Sequence, residues 1–159
     1  MIMTLVVVYN DSKKQVLLGM KKRGFGVDRW NGFGGKIAEG ETIEQAAMRE
    51  LEEEVGIKTD KLTNRGTLRF TFENNDYHGK VGDDIETHIF GLEDFDGQIT
   101  ESEEMRPQWF NYSEVPYDQM WADDKFWLPL FLEGKNIKGE VHFDAPGSQT
   151  ILSNTIEGY

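Results

Sequence analysis

The chain has 159 residues, with 10 Phe, 5 Tyr, 4 Trp, no Cys and a formal net charge of −12. This aromatic content excludes a disordered chain, and the absence of Cys excludes disulfides, a thiol nucleophile and a Cys–zinc centre. The negative charge argues against a polymeric nucleic-acid partner, because such binding rests on neutralising many phosphates with Lys and Arg. A small polyphosphate remains compatible if metal ions offset its charge.

The length suits a single domain spanning 1–159 with a sizeable core. The opening MIMTLVVVYND is apolar but short, and it lacks the basic segment and cleavage site of a signal peptide. Thr4 to Tyr9 is rich in β-branched residues and reads as a buried strand. Asn10-Asp11-Ser12 is a turn signal, and Gln15 to Met20 is a second strand, so a hairpin is predicted. No run approaches the roughly 18 apolar residues of a membrane span. The expectation is a soluble cytoplasmic monomer with no membrane partner, nuclear or mitochondrial pools being further compartments.

Lys21-Lys22-Arg23 reads either as a solvated strand end or as a contact to a phosphate or base edge. In Trp30-Asn31-Gly32-Phe33-Gly34-Gly35-Lys36 the glycines let the backbone approach a ligand closely. A phosphate-binding P-loop fails here, because Trp30 and Ile37 stand where Gly and Ser or Thr are needed. A dinucleotide fingerprint from Gly24 and Gly26 fails at Arg29.

A helix is predicted from an N-cap at Thr42, boxed with Gln45, to a stop at Gly56. Glu50, Glu53 and Glu54 fall at i, i+3 and i+4 and share one face. Like charges at that spacing destabilise a helix, so a positive partner is expected. A hard divalent cation suits such carboxylate oxygens. By itself the helix reads more readily as a solvated acidic face, because Glu-rich helix faces are common.

Thr67 to Phe72 alternates, with Leu68, Phe70 and Phe72 on one face, and reads as a strand. Glu73 to Asp84 reads as a polar loop, Ile85 to Leu92 as a strand, and Gln108 to Asn111 as a short strand. Asp94 to Glu103 resembles a calcium loop through Asp96 and Gly97, but Leu92 at its first position rules this out. A second helix is predicted within Tyr117 to Lys135, with Asp123 or Asp124 as a candidate cap and Pro129 imposing a kink or a late start. Val141 to Phe143 and Thr150 to Leu152 read as closing strands. The order of elements predicts an α+β or mixed-sheet domain with a helix on each side.

Taken whole, the spacing from Gly35 through Glu41 and Arg49-Glu50-Leu51 to Glu53-Glu54 and Gly56-Ile57 resembles the Nudix box at every defined position. That resemblance implies an α/β/α sandwich with a mixed sheet and two main helices, and a loop–helix–loop that holds Mg²⁺ or Mn²⁺ against a diphosphate. Stretches outside the box are similar to the MutT-type branch of the family that acts on oxidised purine nucleoside triphosphates. They include Leu17 to Gly26, Arg29 to Lys36, Glu104 to Pro107, and Met120-Trp121 with Asp123-Asp124 and Trp127.

The resemblance implies hydrolysis of 8-oxo-dGTP, 2-hydroxy-dATP and 8-oxo-dATP to the monophosphate and pyrophosphate. It implies that Glu50, Glu53, Glu54, Glu104 and the Gly34 carbonyl hold metal. For the general base the reading favours Glu53 or Glu54, with Glu104 next and Glu50 completing the catalytic set, since base and ligand are both carboxylates here. Gly35, Glu41, Arg49 and Gly56 would brace the box. Asn31, Asp123 and Asp124 would read the base edge. Phe25, Phe70, Met105, Trp121 and Trp127 would wall the base pocket, with Thr4 and Lys21 at its floor and mouth. Phe70 and Trp127 also suit plain core positions, Asn31 a loop brace, and Asp123 a helix cap. Another Nudix substrate, or a non-catalytic nucleotide-binding module, are the alternatives.

Overall fold

The computed structural model describes residues 1–74, 76–77, 80–81, 84–95 and 97–159; Asp96, part of the rejected calcium loop, lies outside them. The first strand, β1 (Ile2–Asn10), turns into β2 (Gln15–Lys21) as the predicted hairpin, with Val8 opposite Leu17. A two-residue strand, β3 (Trp30–Asn31), precedes helix α1 (Ile43–Val55). Then come β4 (Thr63–Phe72), the short pair β5 (Asp76–Tyr77) and β6 (Lys80–Val81), β7 (Ile85–Leu92) and β8 (Met105–Asn111). Helix α2 (Asp124–Leu132), β9 (Ile137–Phe143), β10 (Ile151–Asn154) and β11 (Glu157–Gly158) complete the chain.

The main sheet is mixed, with order β10-β9-β4-β7-β1-β2-β3; β8 pairs with β2 and β11 with β9. The β1–β7 and β4–β9 pairs are parallel, and the remaining pairs are antiparallel. Side chains alternate across β1, and this alternation divides the core. Val6 and Val8 point to one face, where Ala47, Leu51 and Val55 of α1 cover them. Val7 points to the other, against Trp127, Leu128 and Phe131 of α2. The helices therefore flank the sheet, as the predicted sandwich requires. Pro107 sits in β8, an edge strand that pairs only with β2, where its missing N–H is tolerated.

Several boundaries differ from the sequence expectation. The stretch 73–84 is not all loop, because β5 and β6 pair antiparallel within it. The second helix lies within the expected stretch: Tyr117–Gln119 is a separate 3₁₀ turn, and α2 starts late, at Asp124. The late start places Pro129 only five residues beyond Asp124, in keeping with the predicted effect of that proline. Among the described residues no helix is long and apolar enough to cross a membrane.

Candidate active site

Helix α1 is bounded as predicted. The Gln45 amide donates to Thr42 Oγ1 at 3.1 Å, and the Thr42 amide donates to Gln45 Oε1 at 2.9 Å. Gly56, at φ 76°, ends the helix in the left-handed conformation. The loop before the helix is stitched to β1: Thr4 N–H donates to the Gly35 carbonyl at 2.9 Å, and Phe33 N–H to the Val6 carbonyl at 3.0 Å. A Cβ at Gly34 would lie 1.8 Å from the Thr4 carbonyl oxygen, so only glycine permits this approach.

The stitching aims the Gly34 amide at the helix, where it donates to Glu54 Oε1 at 3.0 Å. Glu54 is 2% exposed, and its second oxygen, Oε2, is buried without a hydrogen-bond partner. Burial first, and then the nearby Glu50 charge, push its carboxyl up to about 8, against the Gly34 hydrogen bond and the Lys21 charge. Glu50 lies against Gly35, where an added Cβ would come within 2.9 Å of its carboxyl. Glu53 is exposed on the same helix.

Part of the positive charge that these glutamates require is supplied by Arg49. Its guanidinium donates to Glu41 at 2.7 and 2.9 Å, to Glu50 at 2.9 Å, to Glu53 at 3.3 Å and to the Lys36 carbonyl at 3.3 Å. This ties the loop at Lys36 and Glu41 to the helix. The Arg49 bond and the Ala38 amide hold the Glu41 carboxyl below its usual range. Glu104 stands immediately before β8 rather than in the box. It pairs with Arg23 at 3.7 Å, and its charge contributes to raising Glu54.

Among the described residues no three carboxylates or histidines stand close enough to grip an ion as they are. The donor set nonetheless fits a hard divalent cation. A bare buried carboxylate oxygen costs on the order of 1–3 kcal/mol or more, and a cation bound by oxygen ligands relieves that cost at Glu54 Oε2. Glu50, Glu53 and Glu104 are the carboxylates on hand to complete such a site.

Beside this face lies a cavity of about 560 Å³. It gathers every residue expected to meet substrate: Thr4, Lys21, Phe25, Asn31, Phe70, Met105, Trp121, Asp123, Asp124 and Trp127, with Gly34 and Gly35 at the same wall. Trp121 stacks on Phe25 with ring centroids 5.1 Å apart, and the Arg29 guanidinium lies 4.0 Å from its ring. Asp123 and Asp124 are buried and do not cap α2 through their side chains, as one reading of the sequence expected. Their carboxyls accept from Trp127 Nε1–H instead. Asn31 does brace the loop, its Nδ2 donating to the Arg29 carbonyl at 2.8 Å, while the residue also lines the cavity. Phe70 and Trp127 serve the core and the cavity together.

A cradle of acidic residues on a capped helix, fed by a glycine loop and adjoining a deep aromatic cavity, invites comparison with known proteins. A NUDIX-domain family model matches residues 2–131. The chain belongs to the Nudix family. The oxidized purine nucleoside triphosphate hydrolase of Danio rerio is 45% identical over 158 residues, covering 98% of this chain and 94% of that protein. Its Mus musculus counterpart is 48% identical over 155 residues, covering 96% and 92%. Among solved structures, a mutator MutT protein from Bacillus halodurans matches with a TM-score of 0.79 at 26% identity, covering 98% of this chain and 97% of that one. Nudix hydrolases act with a divalent metal, which agrees with the donor set around Glu54.

The structure adds residues to the Nudix cavity that the sequence reading left out. Phe72 and Phe143 line it, with Pro146, Gly147 and Ser148 from the loop before β10. Phe72 was within reach, because it shares the alternating face of Phe70. Nothing local links residues 146–148 to a pocket, since β9 brings them there from the far side of the sheet.

Proposed function

We propose that this Nudix chain hydrolyses purine nucleoside triphosphates with oxidised bases, such as 8-oxo-dGTP, 2-hydroxy-dATP and 8-oxo-dATP. The products are the monophosphate and pyrophosphate, and the effect is to clear mutagenic precursors from the nucleotide pool. One observation carries the reading. A stacking indole, Trp121, and two buried carboxyls, Asp123 and Asp124, line a cavity whose glycine wall also contacts the glutamate face. The names of the zebrafish and mouse relatives support it.

Mg²⁺, or Mn²⁺ in its place, held by Glu50, Glu53, Glu54, Glu104 and the Gly34 carbonyl, would neutralise phosphate oxygens and lower the pKa of the attacking water. The chain's own groups do the rest. A purine stacking on Trp121 would gain about 1–3 kcal/mol with little choice among bases. Choice comes from the edge, where Asn31, Asp123 and Asp124 meet the N–H and C=O groups of the base. Lys21 lines the cavity and lies close enough to Glu54 for its charge to be felt there, a position suited to a phosphate. Glu53 or Glu54 takes a proton from water as its oxygen bonds to phosphorus, and the bond to the departing pyrophosphate breaks. In this reading the enzyme is a cytoplasmic monomer acting on small nucleotides rather than on polymeric nucleic acid.

The test is incubation with 8-oxo-dGTP, 2-hydroxy-dATP, dGTP and ADP-ribose in Mg²⁺, with product identification. Monophosphate and pyrophosphate from the oxidised triphosphates are expected. Turnover of ADP-ribose alone would assign another Nudix chemistry, and binding without turnover would make the chain a non-catalytic module.

A further inference from the structure

Gln149 lies in the loop between β9 and β10, 27 positions from Ala122. The Ala122 amide donates to its Oε1 at 2.9 Å, and its Nε2 donates to the Met120 carbonyl at 2.9 Å. These two backbone groups flank Trp121 on either side. The pairing is one that a neighbouring strand would make, supplied by a single side chain. Residues 120–123 belong to neither strand nor helix, so nothing periodic fixes their backbone. Gln149 also follows directly on Pro146, Gly147 and Ser148, which line the same cavity as Trp121.

We propose that Gln149 is a positioning residue for the substrate base. It holds the backbone that carries Trp121 and sets the span between Trp121 and the 146–148 rim. The proposal rests on reading the cavity as the base pocket. No substitution preserves the pairing. Asn is one methylene too short. Glu keeps the acceptor for Ala122 but sets a carboxylate against the Met120 carbonyl, where a donor is required. The two hydrogen bonds of Gln149 go to the backbone beside Trp121 and not to the glutamates of α1, so its loss should act on binding and leave the chemical step alone.

Steady-state kinetics with 8-oxo-dGTP and Mg²⁺ provide the test. Gln149→Ala should raise KM roughly tenfold, the scale of two lost hydrogen bonds, and Gln149→Glu, which loses the bond to Met120 and sets two acceptors together, should raise it as well, with kcat kept within about twofold in each. Metal-free titration with 8-oxo-dGMP, read by tryptophan fluorescence, should show the same loss of affinity without any turnover. In a Trp121→Ala background, Gln149→Ala should leave KM where it is, because Gln149 acts through Trp121. Unchanged KM and 8-oxo-dGMP affinity in Gln149→Ala would overturn the proposal, as would a fall in kcat at constant KM or an equal penalty in the Trp121→Ala background. Absence of turnover by the wild-type enzyme speaks against the function itself. Wild-type turnover with an unaltered Gln149→Ala speaks against Gln149 alone.

Discussion

Asp123 and Asp124 direct their carboxyls at one shared donor, Trp127 Nε1–H, at 3.0 and 3.1 Å. A single N–H cannot satisfy two buried carboxylates. Burial raises Asp123 to about 6, and burial together with the neighbouring Asp123 charge raises Asp124 well above the usual carboxylate range. The pair therefore titrates as a unit and holds a proton near neutrality.

The effect on stability has a definite sign. Both folded-state pKa values lie above the unfolded value of 3.8, so the folded form binds protons more tightly. Their contribution is complete below about pH 4 and is lost as pH rises through 6 and beyond. Thermal unfolding should show a midpoint that falls between pH 5 and pH 8. Asp124→Asn should remove much of that slope and raise the midpoint at pH 8 by about 3–10 °C, given the cost of a buried charge and the usual scaling for a chain of this size. An unaltered slope in Asp124→Asn would refute the shared-proton picture.

The same proton bears on base choice. An ionised carboxyl only accepts, whereas a protonated one also donates. Guanine-type and adenine-type substrates present different edges, so each should favour a different protonation state of the pair. Rate profiles for 8-oxo-dGTP and 2-hydroxy-dATP should peak at different pH, and Asp123→Asn or Asp124→Asn should shift one substrate more than the other. Superimposable profiles that stay unchanged in both variants would contradict this.

At the glutamate face the prediction concerns metal. Addition of Mg²⁺ to chelator-stripped protein should raise the thermal midpoint by mass action. Glu54→Gln should abolish that increment and cut kcat about 10²–10⁴-fold. Glu53→Gln, at an exposed position, should leave the metal-free midpoint within about 1 °C while also lowering kcat. Calorimetry beside a pyrophosphate-release assay reads both quantities. A full Mg²⁺ increment in Glu54→Gln would remove Glu54 from the ligand set.

Arg49 allows a test that separates charge from shape. Its planar fork reaches Glu41, Glu50, Glu53 and the Lys36 carbonyl together. Lysine keeps the charge but cannot make this set of bonds. Arg49→Lys should lose about 1–2 kcal/mol of stability, the partial exposure of the pairs limiting the effect, and at least tenfold in kcat. Wild-type activity in Arg49→Lys would show that charge alone suffices.

Much of the glutamate-bearing half of the candidate site was legible in the sequence, because its signals are local. Thr42, Gln45 and Gly56 act within one turn of their own positions, and the glutamates share a face by helical periodicity alone. The substrate half was legible only through family resemblance. Asp123 illustrates why: a residue before a helix has a capping role by default, and although Trp127 stands only four positions on, the sequence does not say that its N–H, rather than the first helical amides, receives the carboxyl. Gln149 had no sequence signal, since its partners lie 27 and 29 residues away. The β5–β6 pair was missed because two-residue strands carry no periodicity to detect.

The stitched glycine loop has a geometric consequence. Helix α1 and its glutamates lie on one face of the sheet, whereas Trp127 and the cavity floor belong to the other. Gly34 and Gly35 touch both, lining the cavity while meeting Glu54 and Glu50. They form a wall that the cavity and the glutamates share. On the proposed reading, with the base in the cavity and the metal at the glutamates, that wall would act as a ruler. A nucleotide with its base seated would present its phosphate chain to the carboxylates, and one with its base outside would fall short of them.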